Sequence, residues 1–225
     1  MNDLPDEVYE AIRAFYGLET LEEAREYNLR LNRLGDLVDE LRDDVDYAIE
    51  EMEECDDQLS RRTYVRTVFA MIEGAVFALK QQALEESRAS RPDLSPAERA
   101  ILSEQSYYLA ESGKPRVGAY YPQLEANIKF TFPIFARVFD EAFEFDPPLK
   151  QEPRWQSLCR AKEVRDRLMH PKSAEQLEVN DSDLRDVKGA AEWIEEQLDR
   201  VEEISWGRIR RILSQADVQV NGQAA

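Results

Sequence analysis

The sequence has few cysteines and only one histidine. Its two cysteines, Cys55 and Cys159, lie far apart in the chain and match no zinc-ligand spacing. Neither a structural zinc site nor a disulfide framework is therefore expected. One histidine in 225 residues also excludes sites that need several histidines from one protomer. We expect no metal and no cofactor.

Long apolar runs and an excess of positive charge are also missing. The first ten residues carry acidic side chains where a signal peptide needs positive charge, and no apolar stretch approaches the ~18 residues of a membrane span. The 47 acidic and 29 basic residues give a net charge of −18, which disfavours broad binding to nucleic-acid backbones or anionic membranes. We expect a cytoplasmic protein without a membrane partner, in which any RNA site is a local basic patch.

Apolar residues recur at three- and four-residue spacing along most of the chain, while glycine (8) and proline (10) are scarce. This pattern predicts an all-α fold. Capping and breaking signals predict helices over 5–16, from Thr20 onward, over 64–79, 96–113, 124–143 and 153–169, and from Ser182 onward. Residues 114–122 are expected to be irregular.

The second predicted helix carries a heptad pattern of apolar residues. One heptad position holds Ala24, Leu31, Val38, Val45 and Met52, and the other holds Tyr27, Leu34, Leu41, Ala48 and Cys55. Two interpretations are open: a coiled-coil dimerisation arm, or a long helix that packs on its own neighbour. The acidic break over residues 53–57 permits a fold-back hairpin and favours the second. The predicted organisation is an N-terminal helical extension or hairpin (1–56), a helical bundle (57–215) and a disordered tail (216–225).

The segment 64–79 is apolar on nearly every side, which predicts the central buried helix of the bundle. Glu73 stands out in this segment because it is an acidic residue among apolar ones. Because a buried carboxylate is costly unless it is paired, Glu73 belongs either to a structural ion pair, with an arginine, or to the wall of a functional cleft.

The only histidine, His170, lies at a predicted helix end. Asp166 precedes it by four residues, on the same helical face, and can orient the imidazole. Pro171 ends the helix, and both the helix dipole and Asp166 favour an imidazolium, which is a competent general acid. A structural interpretation is equally available, in which His170 caps its helix beside a surface ion-pair partner.

Arg165 precedes His170 by five residues, about 140° around a regular helix, so the two side chains would not meet within one chain. A two-fold dimer could bring them together, because isologous contacts place equivalent patches face to face. A phosphodiester is the natural ligand of such a groove. The basic side chains that would surround it are Arg160, Lys162, Arg167 and Lys172.

The segment Arg165-Asp-Arg-Leu-Met-His170 resembles the Arg-x4-6-His signature of the HEPN superfamily. The resemblance is close only there, and looser over about 64–212 through helix order and the buried Ile72-Glu73-Gly74 segment. It implies a dimeric helical bundle of HEPN type. One toxin branch of the superfamily has a tyrosine two residues after the histidine, where this chain has Lys172, so the regulation of that branch is not implied.

For function, the resemblance implies a metal-independent endoribonuclease that activates the ribose 2′-hydroxyl against the adjacent phosphate. His170 would be the general acid/base, Arg165 would stabilise charge on the phosphate and Asp166 would orient the histidine, with Glu73 as a supporting acid. The implied partners are a second copy, an RNA substrate, and an antitoxin or other protein of a toxin–antitoxin or defence system. Two alternatives stay open: a non-catalytic helical protein that binds a partner protein, and nucleotide binding without turnover.

Overall fold

The computed structural model describes residues 4–90 and 94–215, and over these the predicted all-α class is confirmed. The helices are α1 (Asp6–Tyr16), α2 (Leu21–Glu54), α3 (Gln58–Ser90), α4 (Pro96–Leu102), α5 (Leu124–Val138), α6 (Pro153–Met169) and α7 (Asp181–Gln215). A single 3-10 turn spans Glu175–Leu177, and two short strands, β1 (Gln105–Leu109) and β2 (Pro115–Ala119), complete the described part of the chain. The predicted disordered tail, 216–225, lies outside the described residues.

Most helix boundaries follow capping signals in the sequence. The Thr20 hydroxyl accepts a hydrogen bond from the Glu23 backbone N–H (3.1 Å), while the Glu23 carboxylate accepts one from the Thr20 N–H (3.3 Å). This reciprocal pair is the predicted capping box at the start of α2. Gly17 ends α1 in the left-handed conformation, with φ of 64°, as the sequence predicted. α6 spans its predicted range, because Pro153 can open a helix and Pro171 disfavours helical geometry in the residue before it.

α2 folds back along α3, in agreement with the second interpretation of the heptad pattern. The heptad positions from Ala24 to Met52 are buried or half-buried, and Cys55 is exposed where the chain reverses. Leu41 lies so close to Gly74 of α3 that a Cβ at that position would overlap the leucine methyl group. The residues Val45 and Ala48 of α2 join the apolar core that α3, α5, α6 and α7 also form.

The segment after α4 corrects the prediction. The sequence predicted a helix over 96–113, but α4 ends at Leu102 and an antiparallel hairpin follows, with Tyr107 opposite Val117. Adjacent tyrosines and a valine favour extended backbone over helix. The left-handed conformation of Gly113 (φ 72°) then allows the tight reversal between the strands. Residues 115–119, predicted to be irregular, form β2.

A buried polar cluster lies where α1, α2, α3 and α7 meet. The Glu86 carboxylate is fully buried and accepts hydrogen bonds from the hydroxyls of Tyr16 (2.7 Å) and Tyr27 (2.6 Å). The Arg208 guanidinium lies 3.2 Å from the same carboxylate. Burial, reinforced by the negative charge of Glu86, raises the pKa of both tyrosines above the ordinary value.

The two tyrosines of this cluster, together with the buried Tyr64 of α3, predict a loss of stability at alkaline pH. Tyr16 and Tyr27 stay neutral in the folded chain, and burial raises the pKa of Tyr64 to about 12. In the unfolded chain these tyrosines ionise near pH 10. The free energy of unfolding should therefore be insensitive to them below pH ~10 and should fall above it, by about 1.4 kcal/mol per pH unit for each tyrosine.

The measurement is urea unfolding followed by circular dichroism between pH 9 and about 11.5. In Tyr27→Phe, the free energy of unfolding should fall less steeply with pH, by the contribution of one tyrosine. The substitution also lowers stability at neutral pH, because it removes the hydrogen bond to Glu86. Equal slopes in the wild type and in Tyr27→Phe would show that burial does not hold this tyrosine neutral.

Candidate active site

α6 presents the predicted catalytic segment along one outer face of the bundle. Its core-facing side chains are Trp155, Leu158, Ala161, Val164 and Leu168, all of them buried. These residues recur at three- and four-residue spacing, which turns the intervening positions outward. Lys162, Arg165 and Asp166 are consequently half-buried, while Met169 and His170 are exposed.

Arg165 is held between α6 and α3. Its guanidinium contacts the Glu73 carboxylate of α3, donates a hydrogen bond to Asp166 Oδ1 (2.9 Å) and lies 5.9 Å from the centre of the Phe69 ring. About a quarter of the side chain is exposed (27%). The guanidinium is therefore fixed in position and still accessible at the surface.

Glu73 forms the ion pair with an arginine that the sequence suggested, but it is not deeply buried. Its side chain is 44% exposed at the edge of the α3–α6 contact. Partial burial raises the pKa of Glu73 above the ordinary value, and the nearby Asp166 carboxylate adds to this effect, while Arg165 opposes it. The charged form of Glu73 is thus less favoured than in a freely solvated glutamate.

The structure corrects the prediction that the Asp166 carboxylate orients His170. The Asp166 carboxylate accepts hydrogen bonds from Lys162 Nζ (2.7 Å) and Arg165 (2.9 Å), and over the described residues it makes none to the imidazole. Burial acts to raise the pKa of Asp166, but these two hydrogen bonds outweigh it and hold that pKa below the usual range. The orienting role was inferred for a helical His170, whereas its backbone has left the helix, with φ of −132° and ψ of 56° before Pro171.

His170 caps α6 through its backbone. The His170 N–H donates to the Asp166 carbonyl oxygen (3.1 Å), and the residue is exposed. Within the ranges 4–90 and 94–215, no side-chain hydrogen bond to the imidazole is formed, so no other side chain competes for its ring nitrogens. The histidine can therefore exchange a proton with a bound ligand.

The basic side chains around this segment are largely neutralised. Arg160 pairs with Asp186 (2.7 Å) and Lys162 pairs with Asp166 (2.7 Å). Arg167 pairs with Asp183 (2.5 Å) and also donates to two loop carbonyls. Over the described part of the chain, Lys172 has no ion-pair partner.

Counting Arg165 with Glu73, five cations meet four carboxylates at this end of the bundle. The local positive charge is therefore smaller than the sequence alone suggested. These five cations and four carboxylates leave one net positive charge, on a chain whose net charge is −18.

The sequence prediction missed the arginines of α3 that hold the loop after α6. Arg61 donates to the Val179 carbonyl (3.1 Å), Arg62 to that of Leu177 (3.3 Å) and Arg66 to that of Leu168 (3.3 Å). These bonds tie both ends of the loop that contains His170 to the start of α3. The sequence predicted this helix only from residue 64, which left Arg61 and Arg62 outside it, and the carbonyl partners of the three arginines lie about a hundred residues away.

Two grooves lie elsewhere, on the side of the bundle where α2 and α7 flank α3. Their volumes are about 580 and 520 Å³. Arg42 of α2 lies between them and pairs with Glu195 (2.9 Å) and Glu202 (3.1 Å) of α7. None of the predicted site residues lines either groove.

None of the helices over 4–90 and 94–215 has the length and apolar character needed to span a bilayer. The same residues contain no cluster of three or more His, Cys, Asp or Glu side chains arranged to hold a metal ion.

Comparisons with family models, with curated proteins and with solved structures give no match to the chain.

Proposed function

We propose that the protein is a metal-independent endoribonuclease of HEPN type that acts as a homodimer. The observation that supports this most directly is the pairing of two features at one end of the bundle. His170 is an exposed residue, and Arg165 is held in place but partly accessible between α3 and α6. In one protomer Arg165 contacts Glu73 and Asp166 rather than His170, so a second protomer is needed to complete the site.

In the proposed reaction, His170 of one protomer accepts the proton of a ribose 2′-hydroxyl. The 2′-oxygen then attacks the adjacent phosphorus, and the bond from phosphorus to the 5′-oxygen breaks. The leaving 5′-oxygen takes a proton from the His170 imidazolium. The products are a 2′,3′-cyclic phosphate and a 5′-hydroxyl. Arg165 of the partner subunit binds the non-bridging oxygens and stabilises the charge that develops on them.

Glu73 has a different role in this proposal from that of a supporting acid. Its carboxylate occupies the position on Arg165 that a phosphate would take, since a guanidinium binds both groups through the same planar donors. Partial burial already disfavours the charged form of Glu73. An incoming phosphate would displace the Glu73 carboxylate from Arg165, and Lys172 adds a cation that no carboxylate neutralises in the described chain.

The sharpest test uses complementation between inactive variants. His170→Ala and Arg165→Ala should each abolish cleavage of mixed RNA. When the two are mixed in equal amounts and allowed to exchange subunits, half of the dimers contain one intact site. Activity should then recover to about a quarter of the wild-type value, because isologous dimers hold two equivalent sites. The reaction should proceed in EDTA and leave 5′-hydroxyl ends.

Each outcome of this experiment is informative. No recovery from two folded, exchanging variants would contradict a site shared between protomers. Wild-type protein that leaves RNA intact would contradict the endoribonuclease itself. Loss of cleavage in EDTA would contradict its independence from metal.

A second function, a non-catalytic protein that binds a partner protein, is favoured by the neutralisation of most basic side chains around His170. It predicts that the protein co-purifies with a partner and that His170→Ala retains that partner. A toxin or defence role and an antitoxin stay predictions of the HEPN resemblance, and the same co-purification would identify an antitoxin.

A further inference from the structure

The hairpin of β1 and β2 exposes one apolar face. Cross-strand pairing puts Tyr107 beside Val117 and Leu109 beside Pro115, on the same side of the sheet. Tyr107 is 67%, Leu109 73% and Val117 57% exposed. A two-stranded sheet is at best marginally stable by itself, and gains stability when such a face is covered.

The composition of this face distinguishes between possible occupants. It carries no charged side chain; the remaining positions are Gln105 and Ala119. A nucleic acid would need aromatic rings together with cations, but the face has one ring, Tyr107, and Arg116 lies on the opposite side of the sheet. A strongly charged protein partner would find no complementary charge. An identical apolar face fits best, because a two-fold axis pairs like with like.

A second copy is also compatible with the charge of the chain. Two molecules of net charge −18 repel each other at long range, so a contact between them is least opposed where acidic side chains are few. Residues 105–121 contain one acidic residue, Glu111, and two basic ones, Lys114 and Arg116. The hairpin is therefore a favourable point of contact on an otherwise acidic protein.

The hairpin follows α4 and is anchored to α3, the helix that carries Glu73. Its base is fixed by Glu104, which pairs with the buried Lys80 of α3 (3.0 Å). Lys80 lies seven residues after Glu73, or about 10 Å along the helix. Phe77, an exposed phenylalanine on α3, lies between the two. The base of the hairpin and the Arg165 site are therefore anchored on the same helix, about two turns apart.

We infer that the hairpin is a dimerisation arm, whose apolar face packs against the same face of a second copy and so holds two protomers together. This inference rests on the proposed function, in which two protomers share the site. The exposed face amounts to roughly 400 Å² per protomer, or about 800 Å² in a pair. A specific interface buries about 1,200–2,000 Å², so the paired hairpins would supply about half of one.

The test is the mass of the full-length chain in solution, measured by sedimentation over a range of concentrations. The wild type should sediment as a dimer. Val117→Lys should raise the dissociation constant of the dimer by about 100-fold or more, because the two-fold axis brings two lysines into one apolar contact. Val117→Thr, which keeps the β-branched shape, should raise it only several-fold. The matched control Tyr108→Lys places the same charge on the opposite face and should remain dimeric.

Circular dichroism and RNA cleavage are measured on the same samples. A folded Val117→Lys variant that still sediments as the wild-type dimer overturns the inference. The complementation experiment then decides separately whether two protomers share the catalytic site. A wild type that is monomeric at all concentrations overturns the inference, and complementation then shows whether the catalytic proposal fails with it. A Val117→Lys variant that remains dimeric but no longer binds RNA would identify the hairpin as an RNA contact and also overturn the inference.

Discussion

His170→Ala is expected to reduce RNA cleavage by about 10²–10⁴-fold, the usual contribution of a general acid or base. The side chain is exposed at the end of α6, and in the described chain its imidazole bonds to no other side chain. Its removal therefore takes away the proposed proton acceptor without disturbing the core. Initial rates of cleavage of a defined RNA, measured with excess enzyme, provide the comparison.

The expected effect on folding is small, which makes this result interpretable. The capping hydrogen bond to Asp166 uses the backbone N–H of His170 and survives in the variant. The free energy of unfolding should thus change by no more than ~0.5 kcal/mol. Lys150→Ala, at an exposed position away from the site, is the control that should cleave RNA at the wild-type rate. Cleavage that persists in His170→Ala would leave the protein without its proposed catalytic residue.

The largest expected effect on stability comes from Arg208. This side chain is buried and lies 3.2 Å from the fully buried Glu86 carboxylate. Arg208→Met keeps most of the apolar bulk but removes the positive charge beside Glu86. Because a buried carboxylate is costly without its counter-ion, the free energy of unfolding should fall by about 3–5 kcal/mol.

A double-mutant cycle separates this electrostatic effect from lost packing. Glu86→Gln in the Arg208→Met background removes the buried negative charge and should restore part of the lost stability. Urea unfolding of the four proteins measures the coupling between the two residues. If the double variant is as unstable as the sum of the single variants, the two charges do not interact. The cost of Arg208→Met then comes from its other contacts, which are the ion pair with Asp140, the hydrogen bond to the Val138 carbonyl and the Phe15 and Phe139 rings.

The candidate site was only partly predictable for a physical reason. Arg165 and His170 were recognised because their spacing and the proline after them are local features. The hydrogen bonds to Asp166 could not be assigned in the same way, because several cations compete for one carboxylate within a single helical turn, and Lys162 and Arg165 bind it in the structure. The competition depends on where Pro171 turns the backbone and on which groups α3 brings near.

What the sequence determined by itself is the set of helices and most of their ends. Apolar periodicity, capping boxes, prolines and Gly17 act within a few residues, so they can be interpreted without knowing the rest of the fold. The hairpin after Leu102 was missed, because strand propensity outweighed a weak helical pattern. The helix predicted over 64–79 extends over Gln58–Ser90, and the one predicted over 124–143 ends at Val138.

The tertiary structure alone decided which distant residues meet. Glu73 contacts Arg165, Glu86 contacts Arg208, and the arginines of α3 bond to the loop after α6. Each of these contacts joins residues about a hundred positions apart, and they form because helix packing fixes side chains at distances that the linear order of residues does not specify.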